Sequence, residues 1–199
     1  MNTKNNIRFQ ENEKKIKECF ISLINQYDIN QITVNQLCKT AGINRSTFYA
    51  HFQDIYELLE KLEAEMNRHL YDSYKEKVST PGFYMSSDYF TCVLTYIKEH
   101  QAFYCCCLKK RKEFPISEGK EILFETVVKP YCLAAGITSE MDMMYYFTFF
   151  QAGITLVYRR WVEGGCKESV EQMAELLVRC VCKDCDFHFK ALHFKAVKY

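Results

Sequence analysis

Turn-forming residues are scarce in this chain, which has seven glycines and three prolines among 199 residues. Strand-rich folds need frequent turns, and glycine and proline are the residues that most often mark them. Apolar residues recur instead at three- and four-residue steps, as between Glu11 and Tyr27, which is the spacing of a helix. The sequence therefore predicts an all-α protein, and no segment alternates with period two for long enough to form a sheet.

The composition is that of an ordinary globular protein. Apolar residues make up 48% and charged residues 26%, which argues against a disordered or collagen-like chain. The longest charge-free apolar stretch, Met143 to Tyr158, has 16 residues, fewer than the roughly 20 that cross a bilayer. We expect no membrane span. Since the start from Met1 to Gln10 is polar and no apolar signal follows it, we expect a cytoplasmic protein.

Eleven cysteines are unusual for such a protein, and we interpret most of them as small buried apolar residues in a reducing compartment. The consecutive cysteines 105–107 point about 100° apart on a helix, so they cannot converge on one metal ion. Cys180, Cys182, Cys185 and His188 are suitable zinc ligands by type, but the first two lie on different sides of a helix. We predict no metal site and no cofactor, and keep a thiol or zinc sensor as a third alternative for the function.

Two short helices joined by a tight turn are predicted in the stretch TVNQLCKTAGINRSTFYAHF, residues 33–52. Thr33 is placed to cap the first of them, with a glutamine three positions later that can complete a capping box. Gly42 ends this helix because glycine adopts a left-handed conformation without steric cost. Asn44 caps the next helix, which runs to about His51. The arrangement describes a helix-turn-helix, whose second helix enters the major groove of DNA.

The second helix of this motif has a side suited to packing and a side suited to exposure. Phe48 and Phe52 suit the packed side. Arg45 can donate two hydrogen bonds to a guanine edge, and Tyr49 and His51 combine an aromatic body with a polar tip. Residues 1–53 carry seven basic and four acidic residues, a balance of +3, which is compatible with phosphate binding but too small to demonstrate it.

The rest of the chain is predicted to form further helices. Asp54 caps a fourth helix that ends near Lys77, before a cluster of helix breakers at residues 79–82. Pro130 is expected to kink one of the later helices, and Ser169 begins another through a capping box with Gln172. These later helices are predicted near residues 88–100, 102–112, 117–135, 140–163 and 169–183.

The stretch ITVNQLCKTAGINRSTFYAHFQDIYELLEKLE resembles the DNA-binding domain of TetR/AcrR-family transcriptional regulators, a likeness that covers roughly residues 10–66. The later segment FFQAGITLVYRRWVEGGCKESVEQMAELL is similar to the final two helices of the family's regulatory domain. The resemblance implies a three-helix DNA-binding domain over residues 8–53 and a helical-bundle domain for ligand binding and dimerisation over 54–199. The sequence departs from the family at Ile55, where members often place a lysine that binds phosphate.

The resemblance also implies which residues contact DNA. Thr33 and Thr47 match positions that usually touch phosphate, and the others match positions that face the groove or border it. The predicted DNA-binding set is Thr33, Asn35, Asn44, Arg45, Ser46, Thr47, Tyr49 and His51.

A two-fold homodimer through the last two helices is a further implication of the family. Such a dimer sets two recognition helices about one DNA turn apart and so selects a palindromic operator in double-stranded DNA. Packing of the same apolar faces within one chain is the alternative, because an apolar stripe does not identify its partner. The predicted interface consists of Ile154, Tyr158, Trp161, Met173, Leu176, Leu177 and Cys180.

Aromatic residues crowd the second half of the chain, which suggests a pocket for a small apolar or aromatic effector. We predict that this pocket is lined by Tyr96, Phe124, Tyr146 and Phe150. The alternative is that these residues belong to the core.

We therefore predict a dimeric, ligand-responsive DNA-binding regulator, a repressor that an effector releases from DNA. The sequence contains no recognisable nucleophile triad, carboxylate pair or phosphate-binding glycine loop, so we predict no enzyme activity. A second possibility is a coactivator controlled by a partner protein, because family members whose fourth helix starts Asp-Ile-Tyr-Glu-Leu partner a dihydroxyacetone-kinase-like protein. The basic run at residues 109–112 is interpreted as a solvated helix end.

Overall fold

The computed structural model describes residues 3–78, 83–110, 114–115 and 120–181. Within these ranges the chain is helical and contains no strand, so the predicted all-α fold is confirmed. The predicted breaker cluster at residues 79–82 lies outside the described residues, as do Cys182, Cys185 and His188.

The first helix, α1, spans Thr3–Ile24 and begins well before its predicted start. Its buried stripe includes Ile16, Phe20 and Leu23, as the spacing of apolar residues predicts. A short 3₁₀ turn, Ile29–Gln31, then leads toward the second helix.

The two helices of the predicted motif are present. Helix α2 spans Val34–Ala41, and the Thr33 hydroxyl accepts a hydrogen bond from the backbone N–H of Gln36 at 3.1 Å. Gly42 follows in the left-handed conformation, with φ of 66°, which confirms its predicted role. Helix α3 spans Arg45–Tyr49 and is therefore shorter than the predicted helix to His51.

Helix α4 spans Ile55–Tyr74 and continues into a 3₁₀ turn at Lys75–Lys77. Its start is fixed by Asp54, whose Oδ1 atom accepts hydrogen bonds from the backbone N–H groups of Tyr56, at 2.7 Å, and Glu57, at 2.8 Å. The predicted cap is confirmed.

The later helices lie close to their predicted positions. Ser169 and Gln172 form the predicted capping box, with bonds of 2.9 and 3.2 Å between side chain and backbone. The helix around Pro130 is interrupted by a π-helical segment, Phe124–Val128, rather than simply kinked. Proline lacks the N–H of a regular α-helical bond, and its ring clashes with the carbonyl four residues earlier. The helices are α5, Ser87–Glu99; α6, Gln101–Lys110; α7, Lys120–Leu123; α8, Lys129–Ala134; α9, Glu140–Glu163; and α10, Val170–Val181.

The chain divides into two compact units. The first comprises residues up to His69 together with His100–Ile116, so α6 belongs to the same unit as the helix-turn-helix. The second comprises Leu70–Glu99 and the residues from Ser117 onward, and in it α10 packs against α5. The predicted domains, 8–53 and 54–199, stay a prediction.

Candidate nucleic-acid interface

The inner side of α3 is an apolar anchor. Phe48 is fully buried and Phe52 nearly so, and their ring centroids lie 5.8 Å apart. Leu37 of α2 is also fully buried. Burial of each of these side chains stabilises the folded state by about 1.5–3 kcal/mol. The packing of the two phenylalanines therefore fixes the orientation of this short helix.

The opposite side of α3 is open to solvent. Asn44, Arg45, Ser46 and Tyr49 are exposed, Tyr49 by 54%. Thr47 is half-buried beside them. The exposed tyrosine presents an apolar ring and a polar hydroxyl that can both contact another molecule. The structure therefore brings Asn44, Arg45, Ser46 and Tyr49 together on one exposed surface.

The two predicted DNA-contact residues at the start of α2 are also exposed. They are Thr33, predicted to contact phosphate, and Asn35, predicted to face the groove. The Thr33 oxygen accepts the Gln36 N–H, and its own hydroxyl proton stays available for donation.

His51 does not belong to this surface, which corrects the prediction that it faces the groove. Its side chain is 1% exposed, and its ring centroid lies 3.8 Å from that of Phe9 on α1. The reason is that His51 follows the buried Phe48 by three residues and therefore lies on the packed side of this turn, away from Tyr49. Burial lowers the pKa of His51, partly opposed by Glu13.

Two residues that the sequence analysis missed hold the end of α3. Phe9 stacks on His51, and Lys61 of α4 donates a hydrogen bond to the His51 carbonyl at 3.0 Å. Phe9 precedes Ile16 by seven residues and so lies on the same helical stripe, which extending the periodic pattern toward the N-terminus could have revealed. Lys61 carries no comparable signal in the sequence.

The start of α4 lacks the lysine that the family resemblance implies. Ile55 is buried and cannot contact phosphate. Asp54 and Glu57 place carboxylates at this helix start, and the Gln53 N–H together with Lys61 holds the pKa of the Glu57 carboxyl below its usual range. Carboxylates that already accept these N–H groups and carry negative charge leave this helix end poorly suited to phosphate.

Charged side chains also join α1 to α4. Lys17 lies 2.8 Å from Glu13 and 2.6 Å from Glu65. Hydrogen bonds with these two carboxylates raise the pKa of Lys17 against the opposing effect of burial, and Lys17 in turn lowers that of Glu13. The pairs hold in place the helix that supports the end of α3.

The predicted effector residues do not gather around one described cavity. Phe124 and Tyr146 pack against a buried cluster that includes Val128 and Phe147. Phe150 contacts Phe149, and Tyr96 lies half-buried on α5. A groove of about 490 Å³ lies between α1 and α4, and none of the four predicted effector residues lines it. The effector pocket remains a prediction.

Four of the seven predicted interface residues are buried within a single chain, which corrects their assignment to a dimer surface. Trp161 donates a hydrogen bond from its indole N–H to the Glu168 carbonyl at 3.2 Å. Helix α9 is apolar on two sides, so its pattern does not show which side faces inward. Ile154 is half-buried, Leu176 and Cys180 are exposed, and the buried four are Tyr158, Trp161, Met173 and Leu177.

A different face of α9 is exposed. Met141, Tyr145, Phe149 and Leu156, here called the α9 stripe, are each between 61% and 67% exposed. Their four- and seven-residue spacing places them on one side of the helix. Exposed apolar side chains grouped in this way mark a contact surface rather than ordinary surface scatter.

The remaining predictions concern metal, thiols and membranes. Five of the nine described cysteines are buried, in agreement with an apolar role. In the part of the chain that the structure covers, no group of His, Cys, Asp and Glu side chains could hold a metal ion. Among the described helices, none combines the length and the apolar character of a membrane span.

An exposed polar face on a short helix, anchored by buried phenylalanines behind a capped partner helix, defines a helix-turn-helix protein. Two family models match the chain. The model for bacterial regulatory proteins of the tetR family matches residues 21–62, and that for a transcriptional regulator C-terminal region matches residues 85–182. The chain belongs to the TetR family of bacterial transcriptional regulators. This family consists of regulators and not of enzymes, in agreement with the prediction.

The chain is also similar to known proteins in sequence and in fold. A segment of 102 residues, 49% of this chain, is 21% identical to YxbF of Bacillus subtilis (strain 168), an uncharacterized HTH-type transcriptional regulator, and spans 27% of that protein. Three solved structures are similar in fold. The dihydroxyacetone kinase operon activator DhaS has a TM-score of 0.58 at 22% identity, with coverage of 85% of this chain and 93% of DhaS.

The other two structures give similar values. A TetR transcriptional regulator from Streptococcus agalactiae 2603V has a TM-score of 0.61 at 18% identity, covering 91% of this chain and 99% of its own. The fatty acid degradation regulator FadR from Bacillus halodurans has a TM-score of 0.62 at 14% identity, covering 84% and 92%. At these identities the likeness shows the fold alone.

Proposed function

We propose that this protein regulates transcription by inserting the exposed face of α3 into the major groove of an operator. The observation that carries the proposal is the exposure of Arg45 and Tyr49 on a helix whose other side is locked by Phe48. Arg45 donates two parallel hydrogen bonds to a guanine edge, and Tyr49 supplies a ring and a hydroxyl to neighbouring base edges. Asn44 and Ser46 border this contact.

Phosphate contacts set the register of the protein on the duplex. In this proposal Thr33 and Thr47 make them, with the backbone N–H groups at the start of α2, while Asn35 faces the groove. Because Ile55 is buried and Asp54 lies beside it, the start of α4 adds little. Sequence-independent binding is therefore weaker and less salt-dependent than in relatives with a lysine there, by about one unit of salt slope for each lost contact.

We further propose a two-fold homodimer whose interface is the α9 stripe, together with Leu176 and Cys180 of α10. These side chains are apolar and exposed in a single chain, as an uncovered interface requires. Pairing two recognition helices about 34–36 Å apart explains selection of a palindrome.

The mechanism of control follows from linkage. An effector that binds one arrangement of the two recognition helices more tightly shifts the population toward it, and DNA affinity changes by the same coupling free energy. We propose a small apolar or aromatic effector and a repressor. Control by a partner protein remains the alternative. The likeness to DhaS is one of fold, so it does not favour that alternative.

Selection of duplexes from a randomised DNA pool by the purified protein tests the central claim. We expect an enriched palindrome with half-sites about one helical turn apart, protected from cleavage in a footprint. If a folded, dimeric protein enriches no sequence over the starting pool, that result would count against DNA recognition. Mass spectrometry of protein purified from its native cells then separates a bound small molecule from a stoichiometric partner protein.

A further inference from the structure

The segment that follows the recognition helix is held from two sides. On one side the Phe9 ring of α1 lies against the His51 ring, with centroids 3.8 Å apart and planes tilted by 32°. On the other side Lys61 of α4 donates a hydrogen bond to the His51 carbonyl at 3.0 Å. Tyr49, which contacts the groove in the proposed function, lies only two residues earlier. These contacts therefore fix the backbone immediately after the recognition helix.

The His51 ring has a buried nitrogen without a hydrogen-bond partner. Its Nδ1 atom is enclosed and lies 3.7 Å from a carboxylate oxygen of Glu13, which is too long for a hydrogen bond. Buried polar atoms are normally satisfied, and each exception calls for an explanation. If Nδ1 carries a proton and the ring moves slightly toward Glu13, this nitrogen can donate a charge-assisted hydrogen bond to the Glu13 carboxylate.

The charges that face His51 come from two helices. On α1, Glu13 favours the protonated ring, and Lys17, which is bound to Glu13 and Glu65, opposes it. On α4, Lys61 also opposes protonation, and its charge is partly balanced by Glu57 at 3.0 Å. Burial is the largest influence and keeps the pKa of His51 below its usual value in the protein without DNA.

We propose that His51, with Phe9 and Glu13, is a positioning group that fixes the end of the recognition helix, and that His51 takes up a proton when the protein binds DNA. The inference rests on the proposed DNA binding by α3. It adds a regulatory input, because occupancy of the operator then rises with acidity.

The direction follows from linkage. DNA phosphates add negative potential near His51, and a small approach of the ring to Glu13 forms the hydrogen bond that the free protein lacks, so the pKa of His51 is higher in the complex than in the free protein. The bound state then carries more protons, and affinity increases as pH falls through the range between the two pKa values. A pKa difference of about one unit gives at most about a tenfold change in affinity.

The experiment compares DNA affinity at about pH 7.5 and about pH 5.5 for a duplex that the wild-type protein has selected. We expect wild-type affinity to rise several-fold on acidification, His51→Gln to show no such rise, and Glu13→Gln to show a smaller one. His69→Gln is the matched control, because His69 is an exposed histidine of α4, and its pH profile should follow the wild type.

Positioning by the Phe9 ring is tested separately. Phe9→Ala should weaken binding at both pH values, and Phe9→Tyr should restore it, since the ring that stacks on His51 is retained. A Phe9→Ala protein with wild-type affinity overturns the positioning role.

Titration of the His51 ring by NMR keeps the proposal open to refutation even where a variant folds poorly. In the wild-type protein the ring should titrate below the usual value of 6.5 when free and at higher pH in the DNA complex. An unchanged titration on DNA binding, or a His51→Gln protein with the pH response of the wild type, overturns the inference and leaves DNA recognition intact. Failure of the wild-type protein to select any duplex refutes the proposed function instead.

Discussion

Tyr49 and His51 are two residues apart, yet the first is 54% exposed and the second is buried against Phe9. The helix ends between them, and Ala50 makes the turn. One residue is thus available to a partner molecule, while the other is part of the core. Substitutions at these two positions therefore affect different properties of the protein.

Arg45→Ala and Tyr49→Ala should each weaken binding to a selected operator without changing the fold. We expect Arg45→Ala to cost about 1–3 kcal/mol, because two hydrogen bonds to one base are lost. The measurement is a titration of labelled duplex, with unfolding by urea as the check on stability. Lys14→Ala is the control, since Lys14 is a highly exposed lysine of α1. Unchanged operator affinity in both variants would contradict the assigned interface.

Stability should fall on acidification through the usual pKa of histidine. Burial keeps the pKa of His51 below its ordinary value of 6.5, so the unfolded chain binds more protons in this range and the free energy of unfolding decreases as pH is lowered. His51→Gln removes this contribution. Urea unfolding at about pH 8 and about pH 5.5 should therefore give a shallower pH dependence for the variant. If the wild-type and His51→Gln proteins show equal pH dependence of unfolding, another titratable group causes the loss of stability.

Leu156→Glu should dissociate the proposed dimer and leave the fold of each chain intact. Leu156 is 61% exposed, so the glutamate is solvated in the monomer and buried without a partner in the dimer. Sedimentation over a range of concentrations measures the result. Leu133→Glu is the matched control, because Leu133 is exposed on α8 outside the α9 stripe. A fully dimeric Leu156→Glu protein would show that the interface lies elsewhere.

Trp161→Ala should act differently, by unfolding the chain rather than by separating two chains. The indole is buried and donates a hydrogen bond to the Glu168 carbonyl, so truncation should cost about 3–5 kcal/mol. Thermal and urea unfolding measure this loss, and Trp161→Phe should lose less because it retains most of the volume. A stable but monomeric Trp161→Ala protein would restore Trp161 to the interface.

Asp54→Ala should destabilise the protein by about 1 kcal/mol, because the backbone N–H groups of Tyr56 and Glu57 lose their acceptor. Asp54→Asn keeps an acceptor oxygen and should retain most of that stability. Removing the negative charge should also increase affinity for mixed-sequence duplex and steepen its salt dependence. An equal loss of stability in the two variants would indicate that the charge, not the hydrogen bonds, stabilises the helix start.

Local signals in the sequence were sufficient for most of the fold. Thr33, Gly42 and Ser169 begin or end helices through contacts with residues close to them in the chain. These capping roles can therefore be predicted without knowledge of the tertiary structure. The exposed face of α3 followed from the same periodicity. Its end did not, because this helix of five residues stops without a glycine or proline that would mark the end.

The faces of α9 illustrate what periodicity cannot decide. Tyr158 and Leu156 are both apolar and two residues apart, but one is buried and the other exposed. Spacing groups residues into stripes, whereas the choice of the inward stripe depends on the elements that pack against it. The departure at Ile55 was visible in the sequence, although its burial was not.

The α9 stripe has a consequence for the life of the newly made chain. In the proposed dimer, four large apolar side chains that are exposed in the single chain leave water only when a second copy binds. A protein whose partner binds only the native state gains stability with concentration. Dilution would then shorten the lifetime of the protein, because the monomer is both less stable and more prone to aggregation. Synthesis rate would thus govern how much regulator survives as well as how much is made.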